Sequence, residues 1–215
     1  MKTCSGIQFG ASVERRQGVR QDASEELMNG RVTLVCHSST SATNAAAFAA
    51  DEPLDARGAR WATEARGRLT RADRVLCGPG AACRQTAEAL GLSAKIEPAL
   101  GDWDLGRWRG RTLDEVAADE SDAVTAWLSE PDAAPHGGEA QATLLARVAA
   151  WLAEAPGEGH TVVVTHAAVV RAVLLSVLHA PPTAFWRIDI APLTATRLRG
   201  GPGRWTIRST ATPLR

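Results

Sequence analysis

The segment Thr161-Val162-Val163-Val164-Thr165 places three valines in a row with no polar alternation, and it narrows the fold more than any other stretch. A half-solvated strand alternates apolar and polar residues. An unbroken β-branched run belongs instead to a central parallel strand covered on both faces. Parallel neighbours require crossover connections, usually helices. The chain supplies the parts in that order. Residues 32–36 and 74–77 read as further buried strands, and 94–97 as a short one. Helices are expected over 55–69, over 81–90 with Gly91 closing it, and over 112–118, 123–128, 139–155 and 169–178. Thr112 with Glu115 three residues on forms a capping box. In 139–155, Leu144, Leu145, Val148, Trp151 and Leu152 share one face. Two late strands, 195–198 and 205–208, are expected to form a hairpin or a sheet edge across the glycines of 200–203. The fold class that follows is α/β: a three-layer α/β/α sandwich around a mostly parallel central sheet.

At 215 residues the chain is long enough for one well-buried core. Residues 28–215 read as a single domain. Residues 1–27 are polar and lack sustained periodicity, so they are expected to be a disordered extension. Lys+Arg and Asp+Glu both number 24, which removes any global attraction to nucleic acid or to a membrane surface. A bound anion would have to be held by a local site. Cys4, Cys36, Cys77 and Cys83 show no CxxC pair and no zinc-type spacing, so free thiols in the reducing cytoplasm are expected, with no metal and no cofactor. Neither a membrane-length apolar run nor the apolar core of a signal peptide is present.

In open α/β sheets ligands bind beyond the carboxyl ends of the strands. His37 immediately follows the strand 32–36, and His166 immediately follows the valine run. Both fall where that rule puts a site. A single histidine there would read as structural; two of them point to one phosphate-sized site.

The local sequences around these histidines carry a resemblance. They are Leu34-Val35-Cys36-His37-Ser38-Ser39-Thr40, then Cys77-Gly78-Pro79 with Gln85-Thr86-Ala87-Glu88-Ala89-Leu90, then Gly106-Arg107-Trp108-Arg109-Gly110-Arg111-Thr112, Gly137-Gly138-Glu139 and Val163-Val164-Thr165-His166. In this order and spacing, from about residue 31 to 178, the chain resembles the histidine phosphatase (phosphoglycerate mutase-like) superfamily. The resemblance implies that His37 attacks phosphorus and forms a phosphohistidine that water then hydrolyses. It implies that His166 helps hold the phosphoryl oxygens. Asp102, four residues before Gly106, falls on the position of the acid that protonates the leaving oxygen and then activates water. Read without the resemblance, Asp102 is a loop or cap carboxylate.

The departures bear on the energetics. Cys36 and Ala82 stand where the family has its two pocket arginines. Arg84, two residues further along a helix, points to another side. Ser38 and Ala167 replace glycines, and Arg109 replaces a glutamate. Phosphoryl transfer rests largely on electrostatic stabilisation of the equatorial oxygens, and losing one such donor costs on the order of 10²–10³ in rate. Replacements are available. Arg109 could reach the anion from the opposite wall, the amides of 78–82 open a helix, and Ser38, Ser39 and Thr43 carry hydroxyls for a substrate. Asn44 lies one position late for the family's asparagine, and Arg171 reads as a structural pairing. Cys36 and His37 do not form a thiol–imidazole pair, because strand neighbours point to opposite faces. Trp103 and Trp108 flank the acid loop, as packing or as an apolar rim. The function expected is hydrolysis of a small phosphomonoester through a phosphohistidine. The alternative is an impaired or repurposed fold that binds an anionic ligand or runs another reaction in the same pocket.

Overall fold

A computed structural model describes residues 29–214. The expected extension, residues 1–27, therefore lies outside the described residues. Six strands form one sheet: β1 (Gly30–Cys36), β2 (Arg74–Cys77), β3 (Lys95–Ile96), β4 (His160–Thr165), β5 (Thr194–Gly200) and β6 (Thr206–Pro213). Their order is β3-β2-β4-β1-β5-β6. β4 pairs in parallel with β1 and β2, and β2 with β3. β5 and β6 add an antiparallel hairpin at the edge, as expected from the glycine-rich turn. Every residue of β4 is buried, which is the physical content of the valine run.

Seven α-helices accompany the sheet among the described residues: α1 (Ser41–Ala45), α2 (Ala56–Glu64), α3 (Ala81–Ala89), α4 (Leu113–Asp119), α5 (Ser121–Ser129), α6 (Gln141–Glu154) and α7 (Ala167–Leu178). The period-two alternation of strand side chains sorts the core into two halves. Val32, Leu34, Cys36 and Val163 face Leu144, Val148 and Leu152 of α6 and the buried valines of α7. Val35, Val162, Val164 and Cys77 face Ala62 of α2 and Cys83, Ala87 and Leu90 of and after α3. The three-layer arrangement follows.

The local signals act as their chemistry dictates. Thr112 and Glu115 make both bonds of the capping box. Asp55 caps α2 through Gly58 N–H at 2.6 Å. That helix ends at Glu64 rather than 69, because the chain turns through Gly67 at φ +79°. α1 was not expected from periodicity; a second capping box, Thr40 with Thr43, nucleates its five residues. Between α1 and α2 the chain forms a strap, pinned at one end by Phe48 to Gly110 and Arg111 and at the other by Asp55 to Ser39. No helix among the described residues is long and apolar enough to cross a membrane.

Candidate active site

The ends of β1 and β4 lie side by side, and the His37 N–H bonds to the Thr165 carbonyl at 2.8 Å, one step past the ladder. This brings the His37 and His166 rings to 5.0 Å between centroids, edge to face. Both side chains are more than nine-tenths buried, and both line one cleft of about 280 Å³. Asp102 lies on the loop after β3 and joins the same cleft. Two contacts fix that loop. Thr165 Oγ1 donates to the Leu100 carbonyl at 2.8 Å. The Arg147 guanidinium of α6 donates to the carbonyls of Ala99, Gly101 and Asp102, and makes a fork-to-fork pair with Glu139.

The three groups differ in charge for physical reasons. Burial, and then the charge of His166, lowers the pKa of His37 and keeps its imidazole neutral. Its Nδ1 lies 2.8 Å from its neighbour's carbonyl, that of Ser38. A carbonyl only accepts, so Nδ1 carries the proton and the lone pair is on Nε2. For His166, burial pulls the pKa down, but Asp102 and Cys83 together outweigh it and raise the value well above 6.5. Its Nδ1 lies 3.2 Å from Asp102 Oδ2. Asp102 in turn has burial opposing its charge, and its histidine neighbours together with Trp103 N–H hold it at about 2. The resting site thus holds a neutral His37 beside an imidazolium–carboxylate pair.

The hydroxyls expected to bind substrate are placed elsewhere, and this corrects the sequence expectation. Ser38 Oγ donates to the Gly58 carbonyl, where a Cβ on Gly58 would overlap Ser39 O at 2.2 Å. Ser39 Oγ donates to Asp55 at 2.7 Å. Thr43 Oγ1 is used by the α1 cap. Helix capping and close α2–β1 packing claim all three, and none lines the cleft. Arg109 does line it, exposed, with its guanidinium in no ion pair among the described residues. Ala82 also lines the cleft, whereas Cys36 is buried in the α6–α7 core, where burial raises its thiol pKa far out of range. Arg84 is exposed outside the cleft. Asn44 bonds to Asp55, and Arg171 donates to the Ile188 carbonyl at 2.8 Å and lies over Phe185. Trp108 is packing, stacked on Phe48 at 5.5 Å; Trp103 packs and also meets the cleft.

Sequence reasoning missed four groups. Cys83 Sγ lies 3.2 Å from His166 Nε2. The helical register of α3 places Cys83 inward with Ala82, Thr86 and Ala87, a signal available in the sequence. The carboxylates of Asp51, Glu52 and Asp104 also line the cleft. Gly80 keeps one wall of the cleft bare, since a Cβ there would crowd the His166 ring at 3.1 Å, and Gly78 beside it allows the close approach of Leu100 O, which a Cβ would overlap at 2.5 Å. Among the described residues no group of three or more His, Cys, Asp or Glu side chains is arranged to hold a metal ion.

The family model for the histidine phosphatase superfamily (branch 1) matches residues 32–212. A glucosyl-3-phosphoglycerate phosphatase of Mycobacterium tuberculosis (strain CDC 1551 / Oshkosh) is 31% identical over 105 residues, 44% of this chain and 47% of that protein. The chain spans about half the length of the curated relatives it matches. Among solved structures, the alpha-ribazole phosphatase from Shigella flexneri superposes with a TM-score of 0.75 at 22% identity, covering 85% of this chain and 96% of that one. A mycobacterial glucosyl-3-phosphoglycerate phosphatase complexed with VO3 gives 0.72 at 24% identity, covering 85% and 98%. These two likenesses concern the fold.

Proposed function

The chain belongs to the histidine phosphatase superfamily, and from that premise we propose that it hydrolyses a small phosphomonoester in the cleft between His37, His166 and Asp102. The single observation that carries this reading is the state of His37. It is neutral, buried and oriented by Ser38 O, with its lone pair on Nε2. That is what in-line attack on phosphorus requires. The Nε2–P bond forms as the ester P–O bond breaks, and the leaving oxygen takes a proton. In the resting site that proton is on His166 and Asp102 is ionised, so the Asp102–His166 pair is the proton reservoir rather than Asp102 alone. Water then attacks the phosphohistidine, the P–N bond breaks, and the pair accepts the water's proton as phosphate leaves. Arg109 lines the cleft and supplies positive potential in place of the two arginines, while the first amide of α3 is bonded to Asp51. The buried free thiols Cys36, Cys77 and Cys83 support a reducing, cytoplasmic setting.

A second reading has its own observation. The cleft is lined by four carboxylates, Asp51, Glu52, Asp102 and Asp104, against one arginine, Arg109. A doubly charged phosphate is poorly matched to that balance, which favours a slow or repurposed site. The discriminating experiment is mass spectrometry of the full chain after incubation with a panel of phosphomonoesters. A phosphoryl adduct on His37, absent in His37→Ala, supports the hydrolase. A folded protein with no adduct and no phosphate release on any ester favours the second reading.

A further inference from the structure

The helix α3 opens on the cleft with Gly80 as its N-cap and no capping side chain of its own. Its first free amide, Ala81 N–H, is nevertheless taken: Asp51 Oδ1 accepts from it at 2.7 Å. Asp51 comes from the strap between α1 and α2, at φ +68°, a left-handed conformation that glycine, asparagine and aspartate adopt more readily than other residues. The strap is held on both sides of it. Phe48 bonds to Arg111 and Gly110, Glu52 accepts from Thr40 Oγ1 and Ala50 N–H, and Leu54 N–H bonds to Gln85. A Cβ built on Gly80 would meet both Asp51 Oδ1 and His166 Nε2 at 3.2 Å. The carboxylate therefore lies over the same bare glycine as the second histidine, where a phosphoryl oxygen would seek the helix amide.

We infer that Asp51 is a specificity-determining residue that occupies the oxyanion position at the start of α3 and disfavours doubly charged phosphoryl groups. This rests on the phosphoryl reading of the cleft. The substitution of the family's arginine by Ala82 fits it: without that cation, the amide end of α3 is the main donor on this wall, and an internal anion already holds it. A phosphate dianion must either displace Asp51 or bind beside it against repulsion. A singly charged phosphoryl group meets about half of that repulsion.

The test uses the full chain, with inorganic phosphate titrated calorimetrically and the imidazole NMR signals of His37 and His166 locating the binding. Asp51→Asn removes the charge but keeps an acceptor and suits the left-handed backbone. Asp51→Gly removes the side chain and suits it equally. Glu154→Gln, at the end of α6 that leads to the amino edge of β4, controls for net charge. Phosphate is expected to bind roughly three- to thirtyfold tighter in Asp51→Asn, the range for one unit charge at a solvent-facing site. Asp51→Gly, which frees the amide as well, should bind tighter still, and Glu154→Gln should match the wild type. If phosphate perturbs both histidines but binds no more than threefold tighter to either Asp51 variant, the role of Asp51 is overturned and the phosphoryl reading stands. An equal gain in Glu154→Gln overturns it likewise. If no variant binds phosphate at the histidines, both fall together.

Discussion

Replacing Arg147 tests what holds the acid loop in place. Its guanidinium bonds to Glu139 at 2.8 and 2.9 Å and to the carbonyls of Ala99, Gly101 and Asp102 at 2.8 to 3.3 Å. Both partners of the ion pair are mostly buried, with side-chain exposures of 25% and 13%. Arg147→Ala leaves Glu139 without its counter-charge and three loop carbonyls without a donor. Breaking a fully buried pair costs about 3–5 kcal/mol, and partial exposure lowers that to roughly 2–4 kcal/mol. For a domain of this size each kcal/mol shifts Tm by about 2–4 °C, so a loss on the order of 4–16 °C follows. Arg147→Lys keeps the charge but cannot span a carboxylate and three carbonyls at once, and should recover less than half of the loss. The assay pairs thermal unfolding by circular dichroism with kcat and KM for an aryl phosphate. A positioning role predicts that kcat falls in Arg147→Lys while KM changes little, because Asp102 and its proton partner lose alignment. A melting temperature within 2 °C of wild type for Arg147→Ala would refute the reasoning.

Two further outcomes concern charge. The ion pair of Asp102 and His166 has a defined pH window: the depressed carboxyl contributes stability above 3.8, lost as pH falls towards about 2, and the raised imidazole contributes below 6.5, lost as pH rises through its higher folded value. The stability gap between wild type and Asp102→Asn should thus be widest between about pH 4 and 6.5, and denaturant titrations giving a pH-independent gap would contradict it. Restoring the missing arginines should work at one position only. Ala82→Arg enters the cleft and should raise His37-dependent hydrolysis by roughly ten- to a hundredfold, whereas Cys36→Arg puts an unpaired charge in the core and should cost about 3–5 kcal/mol; equal stability of the two variants would count against this placement.

Much of the fold was legible because it depends on short-range patterns. The valine run, the strand at 74–77, the closing Gly91 and the Thr112–Glu115 box each specify their element from within a few residues, and each element is present. The convergence of His37 and His166 was legible too, since both terminate parallel strands and the topology does the rest. What failed was the assignment of hydroxyls. Ser38, Ser39 and Thr43 follow the nucleophile position in sequence, and proximity along the chain suggested proximity to the substrate. Their hydrogen bonds are decided instead by where α2 packs and where α1 begins, contacts made with Gly58, Asp55 and Thr40. The partners of Cys83 and Asp51 were not legible for the converse reason, although the register of α3 does place Cys83 inward. Each reaches the site by tertiary placement, Cys83 across 83 residues to His166 and Asp51 across 30 to Ala81.

That asymmetry explains why the missing arginines alone do not define the chemistry of the cleft. A motif records which residues stand at the family's positions; it does not record which side chains from other segments share the same space. Here that wall is Ala82 and the bare Gly80, and the groups over it are Asp51 and the His166 ring. The absence of those cations and the presence of the Asp51 carboxylate act in the same direction, lowering the affinity for a phosphate dianion. Neither touches the two features that chemistry at phosphorus needs most, a neutral His37 with a free Nε2 and a protonated His166 held by Asp102. The binding of charge and the machinery of bond transfer are therefore separable in this cleft. Variants that change one, Asp51→Asn or Ala82→Arg, should alter KM for dianionic esters before they alter the His37 adduct. His37→Ala should abolish the adduct while leaving phosphate affinity within a few-fold.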